Sequence, residues 1–392
     1  MTLEREAVLS AAAENREPGS QETTARAGRR LRPLRVIVLT PGVGGLGGIS
    51  RMMDNVSDEL AGRRDTGVEV RFVSTRGDIP LLKPLVFLQS VLRVALPCMT
   101  GRADMLHLNL ASSGSTVRKL IFGAIADTCR TPYVIHLHGA EYREFWASRS
   151  PLAAGVIERF FRRAAGILVL GQVWQEFVGQ RVPEAAQRIT ILPNATRASS
   201  LPPGVHRRQD VVISFLGRLG PRKGTPQLVA ALAGLPADSG WRAVLAGDGE
   251  VAETRTLVHN LGLADRVDVP GWVGPDKVEQ ILQETDIFVL PSLAENLPMS
   301  IIEAFAHGIP VISTPVGSVP EMIEDGRTGL IVPVGDSTAL ADALHRLIKD
   351  TELRQALGRN ARDAHETHYL LSSYTDRLVA LWLAAARQKR PD

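Results

Sequence analysis

Two doubly wound α/β domains, each a parallel sheet covered by helices and facing the other across a central cleft, are what this sequence predicts. Length is the first reason, since 392 residues exceed what one ordinary core fills. Alternation is the second: short β-branched runs take turns with longer amphipathic segments. Repetition is the third, because this grammar stops at the Pro/Arg-rich stretch 201–209 and then begins again. The parts expected are a polar, aperiodic, disordered tail over 1–33, an N-terminal Rossmann-like domain over 34–200, a C-terminal one over 201–366, and a helical segment over 367–392.

In the first half, 35–40 reads as an apolar strand ending on a glycine-rich loop, and 49–60 as a helix. Runs at 68–74, 105–108, 133–137 and 166–170 read as further buried strands. The second half gives strands at 211–216, 241–246, 267–269, 287–290, 311–313 and 330–332, with helical segments between. The longest apolar stretch, 81–99, is interrupted by Lys83, Gln89 and Arg93. A membrane span wants about 20 predominantly apolar residues, so an amphipathic helix lying on the sheet is expected there.

A hydrophobic content of 44% with 22% charged residues is that of a soluble globular chain. Cys98 and Cys129 have no metal-ligand spacing and make no disulfide framework, which fits a reducing cytoplasm. The apolar run 8–13 is too short for a signal peptide. The net charge of +3 conceals an asymmetry: residues 34–200 hold 20 Lys/Arg against 13 Asp/Glu, and residues 201–392 hold 19 against 24. The basic half is expected to meet something anionic. Arg159, Arg162 and Arg163 share a helix face by spacing. At the inner face of a cell membrane each would add about 1 kcal/mol of attraction; the alternative is an ordinary solvated face. Nucleic acid is not an expected partner, because only 5% of residues are aromatic and no stacking motif occurs.

The loop Gly42-x-Gly44-x-x-Gly47 after the first strand has dinucleotide-binding spacing. A nicotinamide dinucleotide also needs an acid at the end of the second strand, and that strand ends Val73-Ser74-Thr75-Arg76. Close backbone approach to phosphate or sugar is the more economical role for these glycines.

The segment Leu290-Pro-Ser-Leu-Ala-Glu295-Asn-Leu-Pro-Met-Ser-Ile-Ile-Glu303 runs from a strand through a loop into a helix. Ligands of open α/β sheets bind at such carboxyl ends of strands, where helix amides favour negative charge. An ionised Glu can accept bonds from two sugar oxygens at once. The plainer alternative makes Ser300-x-x-Glu303 a capping box and Glu295 a solvated loop charge. Upstream, Phe215-Leu-Gly217-Arg218-Leu-Gly-Pro-Arg222-Lys223-Gly224 leaves a strand on a tight turn, where Arg218 and Lys223 can converge on a diphosphate and Arg222 is expected to be solvated. Gly247-Asp-Gly249 is another glycine turn at a strand end. Phosphate and sugar together make a nucleotide-sugar.

The order of Arg218 and Lys223, Gly247-Asp-Gly249, Glu295-x7-Glu303, Pro315-Val-Gly317-Ser-Val-Pro-Glu321 and Gly329-Leu-Ile-Val-Pro333 resembles the group 1 retaining glycosyltransferases (glycosyltransferase family 4), whose fold is GT-B. The similarity spans about residues 35–385, with Leu192-Pro-Asn194-Ala like the family's inter-domain passage and 366–381 like its final helix, which crosses back to the first domain. One departure is that the family's frequent Glu-Gly-Phe-Gly reads Glu295-Asn-Leu-Pro298, which keeps the carboxylate and changes the loop.

The resemblance implies the following roles. Glu303 would hold the ribose hydroxyls and Glu295 would lie beside the donor sugar. Arg218 and Lys223 would neutralise the departing diphosphate, with Gly44, Gly45 and Gly247 allowing close approach. Amides of Asn296, Leu297, Pro298, Met299 and Ser300 mark the loop that would finish the anion site, Pro298 contributing shape only. His138 would face the donor sugar's reacting edge, with His136 its rival. No Asp-x-Asp occurs, so no metal is expected and protein cations would replace Mg²⁺ on the leaving phosphates. The substrate would be a nucleotide-diphosphate sugar, of UDP or GDP, with no further cofactor and with retention at the anomeric carbon.

The acceptor is expected on the first domain, at His107, Asn109, Ser112, Ser113 and Arg118, which follow a strand and offer hydroxyls, an amide and a cation beside Lys119. That segment looks like its counterparts in exopolysaccharide and lipopolysaccharide transferases. A saccharide or a polyprenyl-diphosphate-linked saccharide at the membrane face is the expected acceptor. The alternative is a helix start capped by Ser113 or Ser115. Other classes left open are a sugar-nucleotide epimerase or phosphorylase of the same shape and a non-catalytic nucleotide-binding protein.

Overall fold

The structure is a computed structural model describing residues 32–41, 47–63, 66–76, 83–199 and 210–387. The expected tail, except Arg32 and Pro33, lies outside the described residues, as do Gly44 and Gly45. Residues 33–392 group as one unit by their contacts.

The first half runs β1 (Leu34–Thr40), α1 (Gly48–Ala61), β2 (Val68–Ser74), α2 (Lys83–Met99), β3 (Met105–Leu110), α3 (Gly114–Cys129), β4 (Tyr133–Leu137), α4 (Tyr142–Ala147), α5 (Pro151–Arg163), β5 (Gly166–Val169), α6 (Gln172–Arg181) and β6 (Ile189–Ile191). The second runs β7 (Val211–Leu216), α7 (Thr225–Ala233), β8 (Trp241–Ala246), α8 (Val251–Asn260), β9 (Val267–Gly271), α9 (Pro275–Glu284), β10 (Ile287–Leu290), α10 (Met299–Ala306), β11 (Val311–Ser313), α11 (Val319–Met322), β12 (Gly329–Ile331), α12 (Ser337–Lys349), α13 (Thr351–His368) and α14 (Leu371–Arg387). Two six-stranded parallel sheets result, ordered β2-β1-β3-β4-β5-β6 and β12-β11-β10-β7-β8-β9. Strand order reverses between β1 and β3 in one and between β7 and β10 in the other. Both reversals open a crevice at the strand ends, where such sheets bind ligands.

Alternation along each strand assigns side chains to two separate cores. Ile37 and Leu39 of β1, Leu106 and Leu108 of β3 and Ile135 and Leu137 of β4 pack with α2, α3 and α5. Val36, Val38, Met105 and Val134 point the other way, into a core that also includes Met52 of α1 and Trp382 of α14. His107 and Asn109, one residue out of phase with the leucines of β3, therefore face the α1 and α14 side. Both are fully buried there.

Two expectations need correction. Strand β6 is not foreseen from sequence, because three residues followed directly by Leu192-Pro193 are too short a run to carry periodicity. The final helix expected at 366–381 is two helices, broken at Tyr369–Leu370. Thr196 N donates to Tyr369 O at 3.0 Å and Leu371 N to Thr196 O at 2.9 Å, and this bridge takes backbone groups that a continuous helix would use. Beyond it α14 lies on the first half, where Asp376 pairs with Arg63 and Arg377 donates to the Ile191 carbonyl at 2.9 Å.

Candidate active site between the two sheets

The loop that carries Glu295 is held from both sides by glycines. Gly224 (φ +71°) lies so close to the Pro291 carbonyl that a Cβ would run into it, and Gly317 (φ +56°) meets the Glu295 carbonyl in the same way. So clamped, Glu295 is nearly buried; its Oε1 accepts from Ser292 Oγ at 2.7 Å and pairs with Lys223 Nζ. Lys223 comes from the β7 turn and Glu295 from the β10 loop, so the pair sits at the reversal of the second sheet. The plainer alternative, in which Glu295 is a solvated loop charge, is thereby excluded.

Glu303 does not cap its helix. The N-cap of α10 is Pro298, without a side-chain bond, and Glu303 sits in the helix's second turn. Its Oε1 is 3.2 Å from Arg51 Nε, which reaches across from α1 of the first half. Burial raises the Glu303 carboxyl above the usual carboxylate range, and Arg51 opposes the rise. Arg218 is largely exposed and pairs with Asp248 at 3.0 Å. Arg222, expected to be merely solvated, donates from Nη1 to the Ala294 carbonyl at 3.0 Å, which aims it along the Glu295 loop.

Two adjoining cavities use these groups. One of about 490 Å³ is walled by Gly48 and Arg51 on one side and by Arg218, Lys223, Gly247, Trp272, Ser300 and Glu303 on the other. The second, of about 340 Å³, lies between Ser112, His138, Glu141 and Asn194 and the run Glu295, Asn296, Leu297, Pro298 and Met299. Arg222, Lys223 and Met299 line both. Asn296 borders the smaller cavity and is buried, and neither of its side-chain polar atoms has a partner. Asn194 is fixed there by donating to the Leu297 carbonyl at 2.9 Å.

His138 lines this cavity, and its protonation follows from a chain of bonds behind it. Trp382 Nε1 donates to His107 Nδ1 at 3.0 Å, so that nitrogen carries a lone pair. Burial pushes the His107 pKa down to about 4, so the ring is neutral with its proton on Nε2. That Nε2 faces Asn109 Oδ1 at 3.4 Å, and Asn109 Nδ2 donates to the Leu39 carbonyl at 3.2 Å, which fixes the amide's orientation. His138 Nε2 meets the same Oδ1 at 2.9 Å and must donate to it. Burial lowers the His138 pKa to about 3, leaving a neutral ring whose Nδ1 is an acceptor. His136 is fully buried with both nitrogens unpartnered, its ring 4.0 Å from that of His138, and it lines neither cavity.

The expected acceptor residues divide. Ser112 lines the smaller cavity. His107 and Asn109 do not reach it: they are buried behind His138, because strand parity turns them toward α14. Ser113 is exposed and Arg118 half-buried, and neither borders the two cavities. Nor does Ser113 cap α3; Ser115 Oγ instead accepts from Ala111 N at 3.2 Å. Arg163, grouped earlier with Arg159 and Arg162, is turned to Asp127 at 3.3 Å.

Sequence reasoning passed over Arg51 and Trp272, and gave Asn194 a place only in the inter-domain passage. Trp272 stood between Gly271 and Gly274 at a strand end, a usable signal, since an exposed ring beside glycines has room for a flat partner. Arg51 had none, because its partner is 252 positions away in the chain. Among the described residues, no three His, Cys, Asp or Glu side chains converge as a metal site.

Two Rossmann-like sheets with cavities between them make the fold GT-B, the architecture of nucleotide-dependent sugar transferases. Residues 200–364 match the family described as glycosyl transferases group 1, and residues 19–195 the glycosyl transferase 4-like domain. The chain belongs to the group 1 glycosyltransferases and is a transferase enzyme. It is 26% identical over 270 residues to alpha-D-kanosaminyltransferase of Streptomyces kanamyceticus, covering 64% of this chain and 70% of that one. It is 28% identical over 299 residues to the putative colanic acid biosynthesis glycosyltransferase WcaL of Escherichia coli K12, covering 66% and 73%. Among solved structures, Anabaena HepE in complex with UDP and glucose superposes with a TM-score of 0.69 at 20% identity over 88% of this chain and 98% of HepE.

Proposed function

We propose that this glycosyltransferase moves a sugar from a UDP- or GDP-linked donor to a saccharide or lipid-linked acceptor, with retention and without a metal, in cell-surface polysaccharide synthesis at the cytoplasmic face of the membrane. The observation that carries the reading is the meeting, at the β7/β10 reversal, of the Lys223–Glu295 and Arg51–Glu303 pairs around adjoining cavities. HepE's complex with UDP and WcaL's role in colanic acid biosynthesis support the donor class and the setting.

In this reading the diphosphate occupies the junction of the cavities, facing Arg218, Arg222, Lys223 and the amino end of α10. Charge that develops as the diphosphate leaves meets fixed cations, which is where electrostatic stabilisation acts. Ribose hydroxyls donate to Glu303, whose charge Arg51 sustains. The base lies on Trp272. The sugar enters the smaller cavity beside Asn296, and His138 Nδ1 accepts from a sugar hydroxyl. Ser112 and Glu141 stand on the acceptor side. The domain limits proposed are 34–200 for the acceptor half and 201–366 for the donor half, with 367–392 returning to the first.

The test is a melting-temperature panel with UDP-, GDP- and ADP-sugars, followed by transfer assays. A ligand that binds only the folded chain should add about 2.7 kcal/mol at 100 times its dissociation constant. NMR of the product's anomeric proton separates retention from inversion, and EDTA tests metal independence. No stabilisation by any sugar nucleotide would remove the donor assignment; an inverted product, or activity abolished by EDTA and restored by a divalent ion, would remove the mechanism.

A further inference from the structure

Exposed apolar side chains are concentrated on one side of the first half. Of the 13 large hydrophobic residues exposed among the described residues, nine lie on α2, α3 and α5, neighbouring helices that cover the same face of the first sheet. Leu85, Leu88, Leu92, Leu96 and Met99 of α2 are each more than half exposed. Their spacing of three and four puts them in one stripe along the helix. Val117 and Ile121 continue the surface on α3, and Leu152 and Val156 on α5. A stripe of this length is far from the scattered single leucines of ordinary surfaces and marks an interaction site.

Charge identifies the partner. The α2 sequence contains no Asp or Glu, and the one acid of α3, Asp127, is engaged by Arg163. Exposed Arg93 and Arg102 flank the α2 stripe, and Arg159 and Arg162 follow Leu152 and Val156 along α5. The half-exposed Glu158 is the one acid of α5, against Arg159 and Arg162. An apolar face on which cations outnumber acids matches a bilayer of anionic lipid: side chains enter the acyl boundary while guanidinium groups meet headgroup phosphates. No described helix is long and apolar enough to cross a membrane, so the contact is with a surface. The face also adjoins the site, since α3 begins two residues after Ser112, which lines the smaller cavity.

We infer that the outer face of α2, with the adjoining faces of α3 and α5, docks the enzyme on an anionic lipid surface and presents the Ser112 side of the cleft to it. The inference rests on the reading of a lipid-linked acceptor only for its purpose; docking itself is tested without catalysis. The full chain is floated with phosphatidylcholine vesicles and with phosphatidylcholine–phosphatidylglycerol vesicles. Binding is expected to the anionic vesicles alone and to weaken with salt. Leu92→Glu/Leu96→Glu and, separately, Arg93→Gln/Arg159→Gln should each lower partitioning by about tenfold or more. Both variants should keep the parent's melting temperature and its stabilisation by sugar nucleotide, which separates loss of docking from loss of fold or donor site. The inference is overturned if the parent ignores anionic vesicles, or if both variants partition as it does. It is equally overturned if the parent sediments as a dimer that Leu92→Glu/Leu96→Glu converts to monomer, since the stripe would then be covered by a second copy.

Discussion

Trp382 and His107 are 275 residues apart in sequence, and their side chains meet in a 3.0 Å hydrogen bond from the indole Nε1 to the imidazole Nδ1. The bond ties the last helix to the first sheet and places the His107 proton toward Asn109 Oδ1, the atom that also receives His138 Nε2. Trp382 is fully buried and lines neither cavity, so in the proposed reading it acts only by positioning.

Replacing it by Phe keeps the ring and removes the donor. Trp382→Phe should free His107 to change tautomer, lower kcat by about tenfold, and leave the donor KM near the parent's, a loss of about 1.4 kcal/mol in transition-state stabilisation. Nitrogen-15 spectra of the histidines should show mixed tautomers. Unchanged spectra and kcat would show that the bond is packing only.

Lys223→Ala and Glu303→Ala should each cut turnover by about 10² or more, because charge-assisted bonds in a water-poor cleft are lost. Lys223→Ala leaves Glu295 buried without its cation, so Lys223→Ala/Glu295→Gln should recover stability without recovering rate. Circular dichroism melts and single-turnover assays separate the two effects. Full activity in both single variants would remove the assignment.

Trp272→Ala should weaken binding of the free nucleoside diphosphate by roughly 5- to 150-fold, the range of about 1–3 kcal/mol for an aromatic–base stack. Trp272→Phe should keep most of the affinity. Because the ring is more than half exposed, neither change should move the melting temperature of the unliganded chain by more than about a degree. Equal affinity of parent and Trp272→Ala, measured by calorimetry, would place the base elsewhere.

Acid should destabilise the fold earlier than carboxylates alone would. His107 and His365 have pKa values lowered from 6.5 to about 4, and His138 to about 3, all through burial. Between pH 6.5 and about 4 the unfolded chain binds protons that the folded chain refuses, so stability falls as pH drops through that window and is level just above it. Urea midpoints at pH 7, 6, 5 and 4.5 should decline throughout. His365→Gln, which can still bond Thr196 Oγ1, should flatten the slope. A level profile down to pH 4.5 would show these rings to be titrating normally.

What the sequence by itself determined was what short-range pattern carries. Strands β2, β4, β7, β8, β10 and β11 fall on the residues expected: β7, β10 and β11 are covered on both faces and so nearly continuously apolar, while the edge strand β2 alternates apolar with charged residues. The placement of Lys223 and Glu295 at the ends of β7 and β10 was likewise legible, because parallel sheets put their ligand loops at strand carboxyl ends.

Tertiary structure decided the rest. Strand parity turned His107 and Asn109 from acceptor ligands into the supports of His138, a choice of face that depends on what covers the sheet. Arg51 entered the site because the halves close on one another, bringing α1 against Glu303. The apolar stripe of α2 has an ordinary helical period in sequence, and only the position of the neighbouring helices shows that its leucines are left uncovered. Sequence spacing reports neighbours within a turn or a strand; pairings hundreds of residues apart depend on how separately formed sheets pack, and no local pattern records that.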